Sequence, residues 1–279
     1  MRVLSACDYV RDMAFNYYIV THSLDGAVYG RKVYVLNEQG DKVDASGRRF
    51  KKVIRSDSVL EKIPEGFVIH ARSAYACMKH SMPPQFRMIG EFLEYIGIAQ
   101  CDIGIFGSFM LELSPAKDVD FCVYGEEAHA LVRSHIVALR VLLDAHAVDE
   151  AYAMSRTHKF ASFSSKFCAE KILLRRWSTL VFSDGVAMTI RFLPKKMPVI
   201  CARILSEKRE ICGVVGCNRS DFMPRSFSVG AAEGLTNVWT LLWCYQSCVK
   251  EGDIVRVRGS VCDDGSICIE SMEDYIDIL

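Results

Sequence analysis

The stretch that most constrains the fold lies at residues 103–125 and reads IGIFGSFMLELSPAKDVDFCVYG. It begins as a short apolar strand, breaks at Gly107 and Ser108, and after nine residues re-enters a strand that carries Asp118 and Asp120. Because residues two apart in a strand project from one face, both carboxylates point the same way while their apolar neighbours point into a core. The sequence therefore predicts two adjacent carboxylates on a buried strand, opposite a turn of small residues.

Two like charges side by side indicate a bound divalent cation. Mg²⁺, or Mn²⁺ in its place, prefers carboxylate oxygens and keeps positions open for water and substrate phosphates. A turn without a bulky side chain lets backbone N–H groups approach an anion, and Ser108 adds a hydroxyl donor. We therefore predict that Asp118 and Asp120 hold the metal and that Gly107 and Ser108 bind phosphate.

The spacing of this Gly-Ser pair and the Asp-x-Asp pair resembles the signature of nucleotidyltransferases in the DNA polymerase beta superfamily. The run from Asp102 to Gly125 is also similar to a group of uncharacterised, mostly archaeal, nucleotidyltransferase-domain proteins with β-rich segments on both sides. The resemblance implies an α+β fold with a palm, a mixed sheet with helices, in which the paired aspartates are catalytic. It implies an enzyme that moves a nucleoside monophosphate from a nucleoside triphosphate to a hydroxyl on RNA, on a protein or on a small molecule.

The chain departs from the family pattern at two places. In the superfamily a strand after the Asp-x-Asp pair often adds a third carboxylate, whereas the corresponding strand here, predicted at 186–192, offers Thr189 and Arg191. Lys117 stands directly before Asp118, where a small polar residue is common. We predict that Lys117 and Arg191 bind nucleotide phosphates, since both are cations and a guanidinium pairs bidentately with phosphate oxygens. The missing carboxylate leaves open a second hypothesis, a catalytically inactive protein of this fold that binds nucleotide or RNA.

Composition narrows the class of protein. The balance of 34 basic and 34 acidic residues argues against a general nucleic-acid coat. The twelve cysteines form no Cys-x-x-Cys pair, which indicates small reduced hydrophobic residues. The first residues lack the pattern of a targeting segment, and no apolar run is long enough to span a bilayer. We therefore expect a cytoplasmic protein without membrane contact; the pattern does not specify its oligomeric state.

Periodicity divides the chain into three parts. Residues 1–75 form an N-terminal β-rich module, residues 76–195 the nucleotidyltransferase-like α/β domain, and residues 196–279 a C-terminal β-rich module. Within the middle part, helical spacing begins after Pro83 and Pro84 and again at Glu126.

Three regions outside the central stretch carry alternatives. The strand at 253–262, followed by a turn signal at 263–265, resembles small barrels that include oligonucleotide-binding folds, or it packs as a plain β module. The basic loop at 48–52 is either a solvated hairpin tip or a contact to phosphate or to an RNA backbone, with an aromatic ring available for stacking. The segment 151–177 interleaves cations with aromatic rings, which is typical both of a nucleotide contact and of an ordinary amphipathic helix.

Overall fold

The protein is described by a computed structural model that covers residues 4–53, 60–115, 119–160, 163–164, 168–232, 234–271 and 273–279. These residues form a strand-rich α+β fold. The chain divides into two compact units, the first built from Met1–Ala147 and Ser178–Val199, the second from Val148–Trp177 and Ile200–Leu279. The chain therefore leaves the first unit, contributes a segment to the second, returns to the first and ends in the second. The division into three parts at 75 and 195 stays a prediction.

The first unit begins with an antiparallel sheet whose strands are rich in β-branched and aromatic residues. These strands are β1 (Tyr9–Arg11), β2 (Tyr17–Leu24), β3 (Ala27–Leu36), β4 (Lys42–Val43), β5 (Arg49–Lys52), β6 (Leu60–Lys62) and β7 (Phe67–Ile69). Their order is β4-β5-β3-β2-β1-β7, and β6 also pairs with β3. Strand β2 is buried from Tyr17 to His22 on both faces, so it lies at the centre of this sheet.

Helices and two small sheets complete the first unit. Its helices are α1 (Ala71–Met78), α2 (Pro84–Tyr95) and α3 (Glu126–Leu142), and its further strands are β8 (Ile103–Phe106), β9 (Asp120–Tyr124), β10 (Ala145–His146), β11 (Thr179–Phe182), β12 (Ala187–Thr189) and β13 (Arg191–Leu193). Both predicted helices are confirmed: α2 begins at a proline, whose missing N–H suits the first turn, and α3 has two glutamates in its first turn. One sheet has the order β10-β11-β12 and the other β13-β9-β8.

The β13-β9-β8 sheet is mixed, because β8 pairs antiparallel with β9 while β13 pairs parallel with it. The prediction of a single strand at 186–192 is wrong, since its two halves join different sheets. At Ile190, between the halves, the N–H donates to the Ser178 carbonyl and the carbonyl accepts from the Ser178 hydroxyl. These bonds hold the segment against Ser178, and beyond them the backbone pairs with β9 instead of β11.

His22 gives the first unit a pH dependence. Burial, with the nearby Arg31 charge, lowers the pKa of this imidazole to about 4. The unfolded chain takes up the proton near pH 6.5, so stability is complete above that pH and falls as the pH drops towards 4. Allowing for solvent screening, we expect wild type to lose about 2 kcal/mol more than His22→Gln between pH 7 and pH 4.5, measured by denaturant unfolding with circular dichroism. Equal losses in the two proteins would contradict this.

The second unit is a small barrel with helices beside it. It contains α4 (Glu150–Arg156), α5 (Ala169–Leu174), β14 (Ile204–Asn218), β15 (Arg225–Ala231), β16 (Gly234–Thr240), β17 (Ile254–Cys262), β18 (Ile267–Ile269) and β19 (Tyr275–Ile278). The long strand β14 pairs with both β15 and β17, so the pairings close into the ring β14-β15-β16-β18-β17. Its interior is filled by apolar side chains such as Val229, Val238 and Val257. The predicted turn at 263–265 joins β17 to β18.

The basic segment at 151–177 belongs to this second unit. Lys171 donates to the Ile278 carbonyl at 2.7 Å, and Arg176 donates to the Cys244 carbonyl at 2.7 Å. Arg175 forms an ion pair with Asp253. These three cations therefore fasten α5 and the residues after it to the barrel, which favours the structural alternative for this part of the segment. No described helix combines the length and the apolarity that a bilayer span requires.

Candidate functional site

The Gly-Ser turn and the aspartate strand are direct neighbours in the first unit. Phe106, the last residue of β8, aligns with Asp120, the first residue of β9. Gly107 follows with a φ of +86°, a conformation that side chains rarely adopt. A Cβ placed on Gly107 would lie 2.9 Å from Asp120 Oδ2. A side chain at Gly107 would therefore press against the Asp120 carboxylate, and glycine avoids that contact.

The structure brings together four of the six residues predicted from the sequence. Gly107, Asp120 and Arg191 are half-buried, and Ser108 is buried. The other two, Lys117 and Asp118, lie outside the described residues. The prediction that Asp118 shares a face with Asp120 therefore stays a prediction.

Tyr9 is a site residue that the sequence reasoning missed. Its Oη accepts a hydrogen bond from the Gly107 N–H at 3.2 Å, across 98 positions of sequence. Burial raises the pKa of the Tyr9 hydroxyl well above its ordinary value, and the neighbouring Tyr34, Cys7 and Asp120 add to the shift. The phenol is therefore neutral at physiological pH and fixes one backbone N–H of the turn. No local pattern marks Tyr9, because a tyrosine in a strand is ordinarily a packing residue.

The segment that precedes Tyr9 covers the rest of this face. Strand alternation places Cys122 and Tyr124 on the same side of β9 as Asp120. Tyr124 donates its hydroxyl to the Ala6 carbonyl at 2.9 Å. Burial, and then a hydrogen bond with Cys122, raise the pKa of the Cys7 thiol well above its ordinary value. The aspartate face is therefore closed from Tyr124 to Cys122 by the N-terminal segment, and Asp120 lies beyond that cover.

Arg191 brings a cation to the level of Asp120. It begins β13 beside Cys122 of β9, and its guanidinium carbon lies 5.1 Å from the centre of the Phe106 ring on β8. Since β9 lies between β13 and β8, the side chain crosses β9 at the point where Phe106 aligns with Asp120. Thr189, the other residue considered for the third carboxylate, lies in β12 with its hydroxyl 2.8 Å from that of Thr179. Of the two positions considered for a third carboxylate, Arg191 therefore brings a cation to the level of Asp120 and Thr189 belongs to another sheet.

The one carboxylate described at this site, that of Asp120, is compatible with a magnesium ion that takes its other ligands from a second acid, water and substrate. Among the residues described, no three His, Cys, Asp or Glu side chains converge on one point. Mg²⁺ commonly binds through one or two carboxylates together with substrate phosphates, so a pair of aspartates is sufficient. Asp120 supplies one such carboxylate next to Gly107. The second ligand of the predicted pair is Asp118.

Comparison with known proteins adds nothing to this geometry. The chain matches no protein-family model, no curated protein and no solved structure. The chemistry of the site therefore rests on its residues, on their distances and on the strands that carry them.

Proposed function

We propose that the protein is a metal-dependent nucleotidyltransferase of the cytoplasm, a transferase that moves a nucleoside monophosphate from a nucleoside triphosphate to a hydroxyl acceptor. The observation that carries the proposal is the 2.9 Å approach of a Gly107 Cβ position to Asp120 Oδ2. The turn that we propose binds phosphate is therefore adjacent to the carboxylate that we propose binds the metal. The mixed β13-β9-β8 sheet, with α3 directly after the aspartate strand, supports the proposed palm.

The residues of the site divide the work of such a reaction. Asp118 and Asp120 would hold Mg²⁺ or Mn²⁺, which would supply positive charge to neutralise the phosphates. Gly107 and Ser108 bind the terminal phosphates through backbone and hydroxyl donors. The phenol of Tyr9 keeps the turn in place by accepting the Gly107 N–H. The reaction is mainly positioning and charge neutralisation, so these roles supply most of what it needs.

The cation at Arg191 favours a second candidate, a nucleotide-binding or RNA-binding protein of this fold without turnover. Its guanidinium reaches the level of Asp120, where the superfamily often has an acid. A guanidinium there neutralises phosphate charge without supplying a metal ligand or a base. This alternative predicts nucleotide binding in wild type and no incorporation of nucleotide into any acceptor. The acceptor itself, whether RNA, a protein or a small molecule, is not defined by the site.

Binding of magnesium and nucleotide tests the site. We expect saturating Mg-ATP, or another Mg-nucleoside triphosphate, to raise the melting temperature of wild type by about 5–10 °C. Gly107→Ala places a methyl group against Asp120 and should reduce this ligand-induced rise to below about 2 °C. The measurement is differential scanning fluorimetry with and without Mg²⁺ for each of the four common nucleotides.

Gly185→Ala is the matched control. Gly185 also has a positive φ, +77°, but a Cβ on it meets nothing within 4 Å. Both variants should lose about 1–2 kcal/mol from backbone strain. Only Gly107→Ala should lose the response to ligand. A wild-type protein that no Mg-nucleotide stabilises, or a Gly107→Ala protein that responds fully, would refute the proposed site.

A further inference from the structure

The hairpin formed by β4 and β5 is bonded to the segment that joins the Gly-Ser turn to the aspartate strand. The Val43 N–H donates to the Ser114 carbonyl at 2.8 Å, and the Ser114 N–H donates to the Val43 carbonyl at 2.8 Å. Lys42 Nζ donates to the carbonyl of Pro115. The hairpin therefore contacts the described end of the segment that follows the Gly-Ser turn.

One face of the N-terminal sheet is directed towards the Gly-Ser turn. Tyr9 lies on that face, because its hydroxyl meets Gly107. The register carries the same face across the sheet through a row of aligned residues, which are Arg11, Tyr17, Tyr34 and Lys52. Lys42 aligns with Phe50, two residues from Lys52, and therefore shares this face. Lys51 projects from the opposite face of the same strand.

Within the described ranges, no carboxylate forms an ion pair with either lysine on this face. The hydrogen bond from Lys42 goes to a carbonyl, which has no net charge to neutralise the ammonium group. Lys52 is exposed, although its neighbour Phe50 is fully buried. An exposed ammonium group on a flexible stem is a phosphate ligand that needs no fixed geometry.

We propose that Lys42 and Lys52 form a cationic wall that binds the triphosphate of the nucleotide from the side of the N-terminal sheet. The inference rests on the proposed function. It extends the proposed site beyond the β13-β9-β8 sheet to the N-terminal sheet. It gives the N-terminal sheet a role in binding. The hydrogen bonds of Tyr9 with Gly107, and of Val43 with Ser114, hold this sheet against the Gly-Ser turn and the segment after it. The polyphosphate would then lie between this wall and Gly107 with Ser108.

Charge-reversal variants on the two faces of β5 test whether Lys52 contacts phosphate directly or only contributes to the overall charge of the protein. Lys52→Glu should raise the dissociation constant of Mg-ATP and of inorganic tripolyphosphate by at least about tenfold, since it removes one charged phosphate contact and adds repulsion. Lys51→Glu makes the same charge change from an exposed position on the opposite face, and solvent screening should limit its effect to about twofold. Lys52→Gln should weaken binding by an intermediate factor. Isothermal titration calorimetry at physiological salt measures all four proteins.

The outcomes distinguish a failure of the cationic wall from a failure of the proposed function. Equal affinities for Lys52→Glu and Lys51→Glu, with normal binding by wild type, would overturn the wall and leave the proposed function standing. Wild type that binds no nucleoside triphosphate would overturn both. A Lys52→Glu protein that keeps its affinity for tripolyphosphate but loses affinity for a single-stranded oligonucleotide would also overturn the wall, because Lys52 would then contact an acceptor backbone.

Discussion

Asp120→Asn is expected to lower the transfer of labelled nucleotide by at least about a thousandfold. The amide keeps the shape of the side chain but removes the charge that holds the metal, and charge stabilisation by a bound metal amounts to several kcal/mol of barrier. Because the acceptor is unidentified, the assay incubates the protein with each labelled nucleoside triphosphate and cell extract, and resolves labelled RNA, protein and small molecules separately. Pyrophosphate release gives a second readout that does not depend on the acceptor.

Asp184→Asn is the control for that variant. Asp184 lies in an exposed turn of the same unit, where its Oδ1 accepts the Val186 N–H at 2.9 Å, a bond that asparagine preserves. Its activity should match wild type. Incorporation that persists in Asp120→Asn would disprove the transferase mechanism. Wild type that binds Mg-nucleotide yet shows no incorporation would favour the inactive binding protein.

Asp274→Ala should remove about 3 kcal/mol from the free energy of unfolding of the second unit. Asp274 is fully buried and its carboxylate accepts from Lys208 Nζ at 2.8 Å and from the N–H groups of Glu270 and Ser271. Removing the buried carboxylate leaves the N–H groups of Glu270 and Ser271 without their acceptor and takes away the charge that pairs with the partly exposed Lys208. Asp274→Asn, which keeps an acceptor oxygen, should cost about half as much.

Tryptophan fluorescence reports this loss selectively. The chain has three tryptophans, at 177, 239 and 243, and all of them belong to the second unit. The neighbouring exposed Glu273 supplies the control, because Glu273→Ala should stay within about 0.5 kcal/mol of wild type. A fluorescence transition that occurs at the same denaturant concentration in Asp274→Ala and wild type would contradict the role of this carboxylate.

Local sequence signals predicted the helices and strands better than they predicted which strands pair with one another. The helices from Pro84 and Glu126, and the hairpin that turns at 263–265, follow from periodicity, from first-turn chemistry and from turn residues. The strand at 186–192 was predicted as one piece because alternation continues through Ile190 unbroken. Alternation tells which face of a strand is buried, but it does not tell which neighbour pairs with it.

The candidate site shows the same limit. Gly107 and Asp120 were predicted together because they lie in one short stretch with a recognisable spacing. Tyr9, and the cover that Ala6 and Cys7 place over β9, come from about a hundred residues away. Their contacts depend on how the N-terminal sheet packs against the β13-β9-β8 sheet. Neither composition nor hydrophobic periodicity predicts that packing. The cations at 171, 175 and 176 gave a nucleotide-like pattern but form contacts with the barrel.

The double crossing of the chain between the two units has a consequence for its biosynthesis. A nascent polypeptide emerging from the ribosome cannot complete the sheet around Asp120 until β13 has appeared, and β13 is made after the first piece of the second unit. That piece, in turn, waits for the barrel strands that follow β13 in the sequence. Neither unit can therefore be separated from the other by a single cut.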